Sequence, residues 1–115
     1  MESLQVTAIF PTIASENVAE FKQLATDTLE LVRSEPGTLH YDWFFSPDGT
    51  RCVVRETYAS SNAVLEHLGH VGPMLGRMVE LGGGLELDVF GSPSPELSEA
   101  VAAFSPTIYS YAQGK

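Results

Sequence analysis

A single cysteine, Cys52, stands in 115 residues. One thiol makes neither an internal disulfide nor a multi-cysteine metal site, and in an apolar run it reads as a small buried hydrophobe. Basic residues are scarce as well, six Lys and Arg against fifteen Asp and Glu, for a formal charge of -9. No Lys/Arg cluster rises above that background. This argues against nucleic acid or an anionic membrane as partner, since both require a concentrated basic footprint. No apolar stretch is long enough to span a bilayer. The N-terminus lacks a basic segment followed by an apolar one, so no signal peptide is expected and a cytoplasmic location is the default. There is no Gly-rich dinucleotide fingerprint and no closed ligand set, so no metal, haem, flavin or other cofactor is expected.

What is present is a core-forming composition, 43 % hydrophobic, in a chain of single-domain length. Its centre is Leu39 to Tyr58. Two aromatic and β-branched runs flank Ser46-Pro47-Asp48-Gly49, a hairpin signal. Pro47 pre-sets φ and Gly49 takes a left-handed φ cheaply, which suits a type I turn followed by a bulge. Pairing Ser46 with Thr50 sets Trp43 opposite Val53 and His40 opposite Glu56. Alternation then gives one face Leu39, Tyr41, Trp43, Phe45, Arg51, Val53, Arg55 and Thr57. The other receives His40, Asp42, Phe44, Cys52, Val54, Glu56 and Tyr58. Neither face is plainly polar, and the second mixes aromatic with ionisable groups, as small-molecule pockets do.

Ahead of the hairpin, Gln5 to Thr12 reads as a strand. Ser15 is placed to cap a helix in which Val18, Phe21, Leu24, Ala25, Thr28, Leu31 and Val32 recur at helical spacing. Pro36 and Gly37 follow its end. After the hairpin, Ser60 or Ser61 caps a second helix with an apolar stripe from Val64 to Val79. Pro73 predicts a break near His70 to Gly72. Leu85 to Phe90 forms a last strand. The order β-α-β-β-α-β is the ferredoxin-like split βαβ pattern, with one antiparallel four-stranded sheet and both helices on one face. The bare second face predicts a homodimer. Residues 1–91 form this body. Residues 92–115 are a Ser-Pro linker, a short helix and a tail docking on the body or on a partner subunit.

The pattern Glu56-x-Tyr58-x-Ser60-x-x-Ala63-x-x-x-His67, preceded by Glu35-Pro36-Gly37 and the hairpin, resembles the antibiotic biosynthesis monooxygenase superfamily. The resemblance covers Gln5 to about Phe90. It implies a dimeric α+β barrel and, in several members, cofactor-free oxidation of quinol-like or polyketide aromatics by dioxygen. Other members isomerise or degrade small metabolites. The haem-degrading branch uses an Asn, Trp and His triad; here His67 stands at its Trp position and Arg77 near its His position, so the triad is absent.

His67, in the motif, is the candidate base, because imidazole titrates near neutrality. As a partly exposed helical residue it is expected to carry little stability. Glu56 and Asp42 are candidate acid–base carboxylates, tunable by desolvation; alternatively Glu56 forms a structural ion pair with His40 across the strands or with Arg55 of a neighbouring subunit. His40, Phe44, Val54 and Tyr58 are the candidate substrate-binding residues. His67 and His70 lack a nearby acidic third ligand, which leaves a poor metal site. Two functions follow: a cofactor-independent monooxygenase acting on a small aromatic or quinol-like substrate, or a non-catalytic binding or sensing barrel with the same pocket.

Overall fold

The computed structural model describes residues 3–115. The elements are β1 (Leu4–Phe10), α1 (Val18–Val32), β2 (Thr38–Phe45), β3 (Cys52–Tyr58), α2 (Ser61–Leu81), β4 (Glu86–Phe90), α3 (Pro95–Val101) and β5 (Thr107–Tyr109). The described strands form one sheet in the order β2-β3-β1-β4-β5. The first four pair antiparallel, the ferredoxin-like order. β5 is parallel to β4, so the sheet is mixed and five-stranded, where four antiparallel strands were expected. The physical reason lies in the tail. Leu97 and Val101 of α3 bury among Leu4, Val6, Tyr58, Val64 and Val89, which makes α3 a crossover that returns the chain alongside β4. The Ser61 hydroxyl oxygen accepts from the Ser94 N–H at 2.9 Å, tying this crossover to α2.

On β1, Leu4, Val6, Ala8 and Phe10 face the helices. Phe21 of α1 and Met78 of α2 close over Phe10, Cys52 and Val54. No side chain fits on Gly37, because a Cβ built there would lie 2.5 Å from Ala63 Cβ. The Glu35-Pro36-Gly37 turn is thereby pressed against the first turn of α2.

The hairpin register differs from the sequence expectation by one residue. Tyr41 faces Glu56, Trp43 faces Val54 and Phe45 faces Cys52. The Asp48 carboxylate accepts from the Thr50 N–H and hydroxyl and from the Ser46 hydroxyl. Thr50 is thus held inside the turn, and the ladder resumes at Arg51, whose carbonyl accepts from the Ser46 N–H at 2.9 Å. A one-residue slip exchanges faces between partner strands. Tyr41, Trp43, Phe45, Cys52, Val54, Glu56 and Tyr58 therefore face the helices. His40, Asp42, Phe44, Val53, Arg55 and Thr57 face the open side.

α2 runs unbroken through Pro73, against the expected break. A mid-helix proline costs about 3 kcal/mol. Beyond it lie buried Met78 and Leu81, each worth about 1.5–3 kcal/mol when withdrawn from water. Keeping one continuous seam against the sheet outweighs the proline. Ser60 caps α2 by accepting from the Ala63 N–H. Ser15 instead opens a 3-10 turn, Ser15–Asn17, and makes no side-chain capping bond.

Candidate active site

Between the inward sheet face and α2 and α3 lies a mainly apolar cavity of about 60 Å³. Val6, Ala8, Val54, Leu68, Val71 and Val89 supply much of its wall, and Leu97, Val101 and Phe104 of the tail close one side. The space is tighter than the ~150 Å³ cavity that holds benzene, so an aromatic ring displaces part of the wall on binding. Among the described residues, its ionisable lining consists of Tyr41, Glu56, Tyr58 and His67, with no Lys or Arg.

These groups form one buried cluster. The β3 pleat puts Glu56 and Tyr58 on the same face, and the Tyr58 hydroxyl donates to Glu56 Oε1. His67 stands on α2 with its side chain only 6 % exposed. Its Nε2 lies 4.0 Å from Glu56 Oε1. Its Nδ1 is 2.9 Å from Oε1 of Glu35, which the tight turn at Gly37 brings against α2. The other Glu35 oxygen lies 2.7 Å from Nδ1 of the more exposed His70, and the Thr38 hydroxyl donates to Oε1 at 2.7 Å. The Tyr41 and Tyr58 rings flank the imidazole at 5.0 and 5.4 Å.

Protonation follows from burial. Desolvation pushes the Glu56 carboxyl up to about 8, against the lowering effect of the Tyr58 hydrogen bond, and the nearby Glu35 adds to the rise. Glu56 is thus mostly neutral at pH 7. Burial also pushes His67 down, more than the Glu35 hydrogen bond and charge raise it. His67 is therefore neutral, with Nδ1–H donating to Glu35 and the Nε2 lone pair turned to the Glu56 side. Burial acts to raise Glu35, but the hydrogen bonds from Thr38, His67 and His70 outweigh it and keep it a carboxylate. Tyr41 and Tyr58 are pushed up, first by burial and then by the Glu56 charge, and stay protonated. The outcome is a neutral acid, Glu56, beside a neutral base, His67, whose tautomer is fixed from behind. Paired groups with opposed shifts are how acid and base roles are divided in a protein site.

Of the residues expected at the site, His67, Glu56, Tyr58 and Val54 meet in this cavity. Asp42, His40 and Phe44 do not. The corrected register puts Asp42 on the sheet face opposite the one from which Glu56 enters this cavity, so the Asp42 carboxylate is not part of it. Asp42 pairs in register with Arg55 instead. His40, Asp42 and Phe44, with Arg55, Phe90 and part of Glu56, border a second, open groove of about 320 Å³ on the bare face. Nor does the expected alternative of a Glu56–His40 pair form, since these two residues also lie on opposite faces. Sequence reasoning missed Glu35 as the anchor of His67. The signal was its place before Pro-Gly, where a turn brings the carboxylate back toward the sheet and α2. Cys52 is buried, and burial pushes its thiol up to about 12, as suits an inert core residue.

Trp43 also lines the cavity, and its buried Nε1–H has no hydrogen-bond partner. A buried donor left unpaired costs about 1–3 kcal/mol. Among the described residues, no group of three or more His, Cys, Asp or Glu is placed to hold a metal ion. No helix among them is long and apolar enough to cross a membrane.

The fold and cavity define a ferredoxin-like α+β protein with a buried cluster of ionisable side chains beside an apolar cavity. Residues 6–72, more than half the chain, match the model of the antibiotic biosynthesis monooxygenase family, and the chain belongs to that family. No curated protein matches it in sequence. Among solved structures, it resembles MupZ from Pseudomonas fluorescens, with a TM-score of 0.84 at 21 % identity over 100 % of this chain and 94 % of that one. Rv0793 from Mycobacterium tuberculosis superposes with a TM-score of 0.70 at 25 % identity, over 80 % of this chain and 96 % of its own. SnoaB, a cofactor-independent oxygenase from Streptomyces nogalater, gives 0.67 at 16 % identity, over 82 % and 96 %. The likenesses to MupZ and SnoaB carry the fold.

Proposed function

We propose that the protein is a cofactor-independent monooxygenase acting on a small aromatic or quinol-like substrate. Family membership supports the reaction class. The observation that carries the assignment of roles is the neutral His67 imidazole, fixed by Glu35 at Nδ1 and beside protonated Glu56 at Nε2. His67 takes an acidic proton from a ring CH₂ or hydroxyl. The resulting carbanion or phenolate passes one electron to dioxygen, and the radical pair joins as a peroxide. Loss of water leaves one oxygen atom in the product as a carbonyl, with Glu56 supplying the proton to the departing oxygen. The apolar wall strips water from the anion, which raises its reducing power.

Oxygen uptake by the purified protein with a panel of dihydroxy-aromatics and quinols tests this. One dioxygen is expected per product formed, undiminished by chelators. Binding without uptake would leave the non-catalytic barrel. A second reading is favoured by the closeness of the neutral acid and base: isomerisation of a small metabolite by proton transfer alone. Turnover persisting under nitrogen would select it.

A homodimer completes the proposal. α1 and α2 cover one sheet face, while the other exposes Phe44 at 54 % and Phe90 at 39 %. Apolar residues rimmed by His40, Asp42 and Arg55 suit an interface with a second copy of the sheet. Asp42, His40 and Phe44 then serve assembly. Sedimentation is expected to give about twice the 12.4 kDa chain mass; a stable monomer at micromolar concentration would remove this reading.

A further inference from the structure

Trp43 is the only tryptophan in the sequence. Its ring packs edge-on against Tyr41 at 5.6 Å and Phe21 at 6.4 Å, so neighbours on β2 and α1 fix its orientation. The Trp43 Nε1–H is buried without a hydrogen-bond partner and sits on a residue lining the cavity. Tyr41, next on the same strand face, lies against His67. Two residues of strand set Tyr41 and Trp43 roughly 7 Å apart along β2. With no Lys or Arg in the lining, an anionic ligand would find no counter-charge. A neutral ligand with an acceptor oxygen would find an indole N–H.

We infer that Trp43 is a positioning and specificity-determining residue: its N–H donates to a carbonyl oxygen of a neutral, largely apolar substrate whose acidic hydrogen lies at His67. This rests on the substrate class proposed above and sharpens it to molecules with an ionisable hydrogen at one end and a carbonyl at the other. It also explains why one aromatic on β2 is an indole, when a phenyl ring would fill similar space without leaving a donor unpaired.

The lone indole gives a direct readout. ¹⁵N-labelled protein is titrated with 4-hydroxyacetophenone and with 4-ethylphenol, which has nearly the same shape but no carbonyl. The Trp43 indole proton is expected to move downfield with the ketone and to stay in place with the ethyl compound. The ketone should bind about three- to tenfold more tightly, the usual net worth of one hydrogen bond. Trp43→Phe keeps a ring and removes the donor, so this preference should vanish while 4-ethylphenol still binds. If Trp43→Phe does not fold, the wild-type indole shift decides by itself. An indole proton unmoved by the ketone, a preference that survives in a folded Trp43→Phe protein, or failure of both compounds to bind the wild type at millimolar concentration would each overturn the assignment. No turnover is read, so a carbonyl-selective site without oxygen uptake would sink the oxygenase reading and leave this one standing.

Discussion

Turnover of an oxidisable phenol is expected to fall by about 10²–10⁴-fold when His67 is replaced by alanine, the usual worth of a general base. The pH profile makes the test specific. A base that must be neutral gives a rate rising through its own pKa, which for His67 lies below the ordinary 6.5 because burial disfavours the imidazolium. An acid that must be protonated gives a rate falling through its pKa, near 8 for Glu56. A bell-shaped kcat/KM profile between those limits is the expected result for the wild type. Loss of the lower limb in the variant would assign it to His67. Unchanged turnover after His67→Ala would remove His67 from the chemistry. The substitution should also cost stability, contrary to the sequence expectation of a partly exposed helical residue. His67 is 4 % exposed, and its loss leaves the Glu35 carboxylate without one of its donors. Activity is therefore compared at a temperature where both proteins are folded.

The second large effect is a pH dependence of stability that Glu56→Gln abolishes. In the native protein Glu56 keeps its proton up to about 8, whereas the exposed carboxyl of the unfolded chain releases it near 4.5. Between those values the native state holds the extra proton. Stability from this group is thus full below about 4.5, declines as pH rises, and levels off above about 8. Glutamine has no proton to lose and still offers an oxygen to the Tyr58 hydroxyl. The stability of Glu56→Gln relative to wild type should accordingly grow by about 1.4 kcal/mol per pH unit across that window. His67 opposes this trend at acid pH in both proteins, since its lowered pKa removes stability as pH falls, and largely cancels in the comparison. Denaturant titrations at several pH values decide the matter. Parallel pH–stability curves would show that Glu56 ionises normally and cannot serve as the acid.

Element order and the ferredoxin-like class were legible because helical and strand periods are local properties, and Pro-Gly punctuation separates them. The hairpin faces were not, because they depend on one hydrogen-bond choice. Asp48 could close a turn before Thr50 or enclose it, and only the three donors converging on its carboxylate decide for the latter. The sequence did hold a corrective signal. With Arg51 and Arg55 placed on one face with Leu39, Tyr41, Trp43 and Phe45, that face made poor electrostatic sense. Moving the pairing by one residue carries both arginines to the open side and brings Cys52, Val54, Glu56 and Tyr58 to the face that Tyr41 and Trp43 share. Asp42 was lost from the site, and Tyr41 and Trp43 gained, by this single shift. Glu35 and His67 lie 32 residues apart and meet through the close approach of Gly37 to Ala63; the Glu35-Pro36-Gly37 turn is legible locally, but the helix it packs against is a tertiary choice. Continuity of α2 through Pro73 was hidden for a related reason, since burial beyond the proline outweighs a local preference.

Leu97, Val101 and Phe104, which close the cavity, follow β4 in the chain, whereas Glu35, Glu56, Tyr58 and His67 all precede it. One closing side of the cavity is thus encoded separately from the residues proposed to move a proton. Mutations accumulating in residues 92–115 can remodel the enclosure while the proton-transfer machinery stays under its own constraints. Such a gene can diverge toward new molecules by changing its last fifth, and exchange of that segment between relatives is a direct laboratory route to altered selectivity with the original pH profile intact.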